Sequence, residues 1–381
     1  MTNRIAAIAL GWLLALSATA CDSSGPYHVY WGDVHGHANI SDGTGTLDEY
    51  FTFARDRAGL DFAFVTDHDF GGAAPWHMPR ADWELTQLKA DEYTVPGRFV
   101  AFAGYEWTSQ SKYWTPVEPL FTGPIRYYNH KNVFFPSPVD YIFSAKDARY
   151  NSPNLLAAAV RGRGGLIFND HPDAELEGRD QFDYDPSFYP VIVNTEIRPD
   201  TFYYNDGTYE LRWESVLRDF LNKGGITGFV GGSDTHEGRP VAMTAVLARE
   251  LTRPALFDAF RHRRNYAVSN ARIVLDFRVN GHLMGEQIEI DGQPLITADV
   301  KGTDTIREVV VVRDGSIVHC LRPNTRNVRI EFTDGAFRGH GYYYLRVTQA
   351  DIDEHGNPSR AWSSPIRVRR KPPAPTSQAR P

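Results

Sequence analysis

The sequence predicts an α/β protein, with parallel strands and helices closed into a barrel and a smaller all-β, sandwich-like unit after it. Three observations carry this. Short apolar, β-prone runs alternate with helix-period segments between residues 28 and 263. Most of those runs end in His, Asp or Glu. Past Ser269 the pattern changes to β-branched alternation broken by Asn-Gly and Asp-Gly pairs.

At the N-terminus, residues 1–20 read as an export signal. Arg4 supplies the positive end, residues 5–16 are apolar, and Ser17, Ala18, Thr19 and Ala20 precede Cys21. The apolar run is too short for a comfortable membrane span. Cys21 resembles the lipidated cysteine of a bacterial lipobox, although Ala18 stands where that pattern prefers Leu. The same residues also fit plain cleavage after Ala20. Export is expected either way, to the periplasm or to a membrane-anchored lipoprotein, with residues 21–26 as a tether. If Cys21 is lipidated, Cys320 has no intrachain partner, and its setting in "SIVHCLRP" reads as a buried strand.

Bulk properties narrow the function. The 381 residues are 42% hydrophobic, enough for one large domain or a large and a small one. The net charge of -7 comes with no basic stripe, which argues against nucleic acid as a primary partner.

The elements follow in order. A strand over 28–33 leads into "HGHANISD". Thr46 and Glu49 form a capping-box pair, Leu47, Phe51, Ala54 and Ala58 recur at near-helical spacing, and Gly59 stops the helix. Residues 61–66 are a short apolar strand ending in Asp67-His68, and 98–104 a strand ending near Glu106. A helix over 154–163 precedes a strand over 165–168 and then Asp170-His171. A strand over 191–197 holds Glu196, a helix covers 213–222, and a strand over 226–230 delivers Asp234 and His236. A last helix covers 253–263. The stretches 71–97 and 109–152 read as long irregular connections. Their aromatics, Trp76, Tyr113, Trp114, Tyr127 and Tyr128, with neighbouring Trp107, suit either a pocket wall or packing beneath loops. Residues 270–369 form the all-β unit, with "REVVVVRDGSIVHC" as a hairpin, and 370–381 a proline-rich tail that is expected to be disordered.

The chemistry gathers at the strand ends. His35 and His37, two apart at the end of a strand, share a face. With Asp42, His68, Glu106, His130, His171, Asp234 and His236 they make nine candidate ligands. That is too many for one ion and enough for two or three with bridging carboxylates. Imidazoles mixed with carboxylates suit Zn²⁺, Mn²⁺ or Fe better than Ca²⁺ or Mg²⁺. Each His alone reads as an ordinary structural residue, and the joint pattern is what points to metal. Asp67 suits orienting a ligand or holding a loop, and Asp33 and Asp170 a supporting or turn role. Arg198, Arg239 and Lys131 adjoin the motifs, where they could bind an anionic substrate or simply be solvated.

Taken in order, His35-x-His37, Asp42, Thr66-Asp67-His68, Glu106, His130, His171-Pro172 and Asp234-x-His236 resemble the metal motifs of the polymerase and histidinol phosphatase (PHP) family. The resemblance covers residues 27–269. It implies a distorted (β/α)7 barrel and up to three metals. One ion would take His35, His37, Glu106 and Asp234, a second Glu106, His130 and His171, and a third Asp42, His68 and His236. Asp42 stands where many members have His. The opening "YWGDVHGHANISDGTGT" is more similar to an exported bacterial branch of poorly defined function that includes aryl-carbamate metallohydrolases. The resemblance implies a hydrolase in which a metal-bridging hydroxide attacks phosphorus or a carbonyl carbon, with Glu106, Asp234 and His236 nearest the chemistry. Divalent ions outweigh three carboxylates in charge, which favours an anionic small-molecule substrate and makes a phosphoester the leading class. Carbamates or carboxylic esters are the alternative on the same site. A non-catalytic surface protein stabilised by metal is the alternative of another class.

Overall fold

The computed structural model describes residues 26–69, 78–109, 128–172, 181–197, 209–269, 271–354 and 356–371. The export signal, Cys21, residues 372–381 of the tail, and Trp76, Tyr113, Trp114, Tyr127 and Arg198 lie outside the described residues. Among the described residues no helix is long and apolar enough to cross a membrane.

Strand β1 (His28–Asp33) pairs parallel with β2 (Phe62–Val65), and β2 with β3 (Val100–Thr108). Helix α1 (Leu47–Thr52) begins at the capping box read from sequence. Thr46 Oγ1 accepts from the Glu49 N–H at 3.2 Å, and the Glu49 carboxylate accepts from the Thr46 N–H at 2.7 Å. One π-helical turn (Phe53–Arg57) continues it before Gly59, at φ 59°, redirects the chain. Helix α2 (Arg80–Tyr93) lies inside a stretch the sequence reading leaves irregular. Its buried residues are only Trp83, Thr86 and Ala90, too thin a stripe to stand out from the polar positions around it.

Strand β4 (His130–Phe134) also falls in a stretch read as irregular. It pairs antiparallel with both β3 and β5 (Leu166–Asn169). Strands β5, β6 (Ile192–Glu196) and β7 (Gly228–Val230) are parallel again, with helix α3 (Pro153–Gly162) before β5 and α4 (Tyr209–Asn222) before β7. Strand β8 (Thr244–Ala248) runs antiparallel to β1. Helix α5 (Arg253–Arg261) then leads to β9 (Asn265–Ser269), antiparallel to β8. The fold is thus α/β with a mixed sheet, where the sequence reading expects an all-parallel closed ring. The ladders run β7–β6–β5–β4–β3–β2–β1–β8–β9. The two end strands meet at Asn265, whose Nδ2 donates to the Phe229 carbonyl at 2.8 Å, and no backbone ladder joins them among the described residues.

The sheet curls around a phenylalanine core. Phe64 of β2 lies 4.4 Å from Phe102, 4.8 Å from Phe134 and 6.3 Å from Phe168, between ring centres. Contact between β2 and β5, three places apart in ladder order, requires that curvature. Helix α5 supplies Phe257 and Phe260. Phe260 meets Phe62, at the start of β2, and Phe257 and Phe260 each meet Phe134, the last residue of β4. That end of the strands is therefore sealed with apolar side chains, and polar chemistry is confined to the other end.

The remaining strands are β10 (Val274–Val279), β11 (His282–Leu283), β12 (Gln287–Ile290), β13 (Leu295–Arg313), β14 (Ser316–Leu321), β15 (Thr325–Thr333), β16 (His340–Ile352), β17 (Pro358–Ser363) and β18 (Ile366–Arg370). They pair antiparallel except for β12 with β18. The Asn280-Gly281 and Asp314-Gly315 turns read from sequence carry positive φ at both residues, as tight hairpins require. The predicted hairpin is the β13–β14 pair. The unit is not separate from the rest: β17 pairs with β9, and Trp31, Leu247 and Tyr266 share a core with Leu275, Phe277 and Val309. Cys320 corrects the reading of a buried residue. It is exposed on β14, with Sγ 3.7 Å from Glu308 Oε2.

Candidate metal centre

Strand direction decides the site. Strands β1, β2, β3, β5, β6 and β7 run the same way, so their C-terminal ends lie together, opposite the phenylalanine plug. Because β4 runs against them, its first residue, His130, arrives at the same end. His35 and His37 follow β1, His68 follows β2, Glu106 lies near the end of β3, and His171 follows β5. Glu196 ends β6, and Asp234 and His236 follow β7. The reversal of β4 is what brings His130 to the cluster.

Glu106 is the hub, 1% exposed. Its Oε2 lies 3.5 Å from His35 Nε2, 3.4 Å from His37 Nε2 and 2.9 Å from His68 Nδ1. Its Oε1 lies 2.6 Å from His130 Nδ1 and 3.3 Å from His171 Nε2. Asp234 Oδ1 is 3.3 Å from His35 Nε2 and 3.1 Å from His37 Nε2. Asp42 Oδ2 is 3.6 Å from His68 Nε2 and 3.4 Å from His236 Nε2. Four groups of ligand atoms are compact enough to hold an ion: His35, His37, Glu106 and Asp234; His37, Asp42, His68 and His236; His68, Glu106 and His130; and His35, Asp170 and Glu196. All nine candidates therefore converge. The first group is the set expected for one ion, and the second adds His37 to the set expected for another. His171 reaches the shared Glu106 Oε1 beside His130.

These residues fit a cation on their own chemistry. His35 Nε2 is buried and makes no hydrogen bond, and Glu106 Oε2, which faces it at ion-pair distance, is ringed by the imidazole nitrogens of His35, His37 and His68. Facing donor atoms at this spacing, closed to water and not bonded to each other, suit a divalent ion between them.

Two carboxylates hold the loops in place. Asp33 Oδ1 accepts from the His35 N–H at 3.2 Å and the Ser233 N–H at 3.0 Å, and its Oδ2 accepts from the Val241 N–H at 3.0 Å. Asp67 Oδ1 accepts from the Ala38 N–H at 3.1 Å, the Ser41 N–H at 2.8 Å and the Ser41 hydroxyl at 2.9 Å. Asp67 thus holds the loop between His37 and Asp42. Two of the ligands themselves occupy the left-handed region, His171 at φ 24° and Asp234 at φ 52°, a conformation kept only where surroundings enforce it.

The electrostatics are dominated by burial and by imidazole–carboxylate pairing. Burial opposes charge on Glu106, but His68, His130 and His35 outweigh it and hold its carboxyl well below the usual range. Burial likewise opposes a charged His35, while Asp234, Glu196 and Glu106 keep its pKa well above that of a free imidazole. For His37 burial wins and lowers the pKa to about 4, favouring the neutral ligand form. Burial raises Asp67 to about 7.

The proposed substrate-binding residues fare differently. Lys131 is fully buried, with Nζ donating to Asn169 Oδ1 at 2.7 Å and to the Gln181 carbonyl at 3.1 Å, so it is occupied inside the core. Arg239 is exposed on the loop that carries His236. Trp107 is in the core, donating Nε1 to the Tyr150 carbonyl at 3.0 Å, and not in a pocket wall. The sequence reading gave Glu196 no role and left Asp170 as a supporting or turn residue. For Glu196 the available signal was a carboxylate closing a strand that opens on the apolar run Val191, Ile192 and Val193, "VIVNTE".

No family model matches the chain. It is similar to uncharacterized proteins of Chlamydia trachomatis (25% identical, over 91% of this chain and 58% of the relative), Chlamydia muridarum (24%, over 89% and 57%) and Chlamydia pneumoniae (22%, over 91% and 58%). The chain thus spans little more than half the length of these relatives. A solved two-domain protein of Bacteroides vulgatus, described as containing a predicted PHP-like metal-dependent phosphoesterase, is similar with a TM-score of 0.45 and 15% identity, over 87% of this chain and 94% of that one.

Proposed function

We propose that this protein is a metal-dependent hydrolase of the PHP type with a multinuclear centre, and that it cleaves phosphoesters. One observation carries the reading: three ion-sized ligand groups overlap through His37, His68 and Glu106, and the buried His35 Nε2 within them makes no hydrogen bond. A purely structural metal site has no need of open positions, and this cluster keeps Asp42 and His236 exposed.

The side chains divide the work. His35, His37, Glu106 and Asp234 form the closed floor, with the two histidines and Glu106 fully buried. Asp42 and His236 are the open members, their side chains 48% and 37% exposed, so substrate meets the cluster on that side. His236, which stacks on His37 with ring centres 4.1 Å apart, is held there to contact the substrate. Divalent ions bound in this cluster would lower the pKa of water to about 7 and stabilise negative charge at the reacting centre. An anionic ester suits a site where imidazoles outnumber carboxylates. In this proposal the enzyme is exported, held at a membrane by lipid if Cys21 is modified, and acts on a small molecule.

The test uses chain beginning after Cys21, loaded in turn with Zn²⁺ and Mn²⁺, and compares nitrophenol release from nitrophenyl phosphate and nitrophenyl acetate. Phosphate cleavage should be lost, and metal content lowered, in His35→Ala and in Asp234→Ala. Cleavage of acetate alone would move the substrate class to carboxylic esters and carbamates. Either variant working at the wild-type rate with wild-type metal would remove the site assignment.

A further inference from the structure

Of the group His35, Asp170 and Glu196, only His35 belongs to the ligand sets expected above. We propose that Glu196 is the positioning residue of this centre, one carboxylate that sets the orientation of two histidines from different strands. The inference rests on the reading of the cluster as a metal site.

Glu196 ends β6 and is 1% exposed. Its Oε1 and Oε2 lie 3.3 and 3.4 Å from His35 Nδ1. Its Oε2 also accepts the His171 backbone N–H at 2.8 Å. An imidazole that offers Nε2 to a cation carries its proton on Nδ1, and that N–H needs an acceptor. A carboxylate in this place fixes the tautomer, stops ring rotation and makes Nε2 a stronger donor. His35 Nε2 is the buried atom left without a hydrogen bond, facing Glu106 and Asp234. The two ring nitrogens of His35 are thus divided between a carboxylate behind and the ligand cluster in front.

His171 adds the second half of the argument. Its φ of 24° is costly for a side chain of this kind, so its position is imposed. The Glu196 contact holds its N–H, and Asn129 Nδ2 donates to its carbonyl at 2.9 Å. Its ring then meets Glu106 Oε1 beside His130. Glu196 therefore aligns one ligand on each side of the Glu106 carboxylate. Gly232 gives it room: a Cβ there would lie 1.9 Å from Glu196 Oε1 and 2.6 Å from the His35 Cβ.

The experiment measures ions bound per chain at saturation, and Mn²⁺ and Zn²⁺ affinity against a competing chelator. It compares the wild type with Glu196→Ala, Glu196→Gln, Gly232→Ala and Asp234→Asn. Glu196→Ala should keep the ion count while affinity falls about 10–100-fold. Glu196→Gln should fall less, because it keeps one acceptor oxygen. Gly232→Ala should follow Glu196→Ala, since it displaces a carboxylate that is still present. Unchanged affinity in Glu196→Ala overturns the proposal. Loss of a whole ion at saturating metal overturns it differently, by making Glu196 a ligand of a further cation with Asp170, whose two carboxyl oxygens are buried without partners. Failure of the underlying reading is distinct: a wild type that binds no ion, or Asp234→Asn binding as tightly as wild type, would remove the metal site and this inference together.

Discussion

Asp67 offers the sharpest test of how the loop bearing His37 and Asp42 is held. Its Oδ1 accepts from two backbone N–H groups, Ala38 and Ser41, and from the Ser41 hydroxyl, all within 3.1 Å. Asp67 and Ser41 are buried, so water cannot take over these donors freely. Asp67→Ala leaves the two backbone donors unmatched at about 1–3 kcal/mol each, while the Ser41 hydroxyl keeps Asp42 Oδ1 at 3.1 Å, and partial relaxation of the loop brings the expected loss to about 2–4 kcal/mol. Asp67→Asn keeps a carbonyl oxygen in the Oδ1 place and should cost under about 1.5 kcal/mol. Urea unfolding of the metal-free chain measures both. The loop also delivers ligands, so Asp67→Ala should weaken metal binding even where the chain is fully folded, and Asp67→Asn should restore most of it. Equal stability of the Ala and Asn variants would refute the reasoning, because it would mean that the oxygen acceptor does not hold the loop.

Other outcomes follow from the same geometry. Gly43→Ala places a Cβ 2.6 Å from the His37 carbonyl carbon and 2.7 Å from its oxygen, a backbone clash that must move the turn, so metal affinity should fall with little change in overall helix and strand content by circular dichroism. Chelation of the loaded protein should lower its melting temperature, with a stabilisation of about 2.7 kcal/mol lost when free metal had stood at a hundred times Kd. Identical melting curves with and without chelator would count against a bound ion. Metal content should also fall on acidification, since a proton on a ligand imidazole competes with the ion for the same nitrogen. Trp362→Ala should destabilise by about 3–5 kcal/mol, because Trp362 is 1% exposed among Leu217, Leu221 and Phe229, with Nε1 on Glu214 at 3.3 Å. Unfolding that leaves this value near zero would show that α4 does not clamp β17 to the sheet.

Much of the site was legible because it is local. A His or Asp just past an apolar run is visible without knowing which strand lies beside it, and so is the capping box at Thr46 and Glu49 or the Asp314-Gly315 turn. These features depend on residues within a few positions of one another, where backbone sterics and short hydrogen bonds decide the outcome. What only the tertiary structure decided depends on pairing between distant segments. The reversed direction of β4 and β8 comes from which edge each strand meets, and periodicity carries no sign of direction. Helix α2 exists because Trp83 and Ala90 find a buried surface that its own weak stripe does not announce. Lys131 stands beside a ligand in sequence yet turns into the core, since alternation along β4 sends neighbouring side chains to opposite faces. Glu196 takes its meaning from His35, 161 residues away, across a contact that no local pattern encodes. The residues able to bind a cation were set by the sequence, and the carboxylate that aims them was set by the closing of strands around a common end.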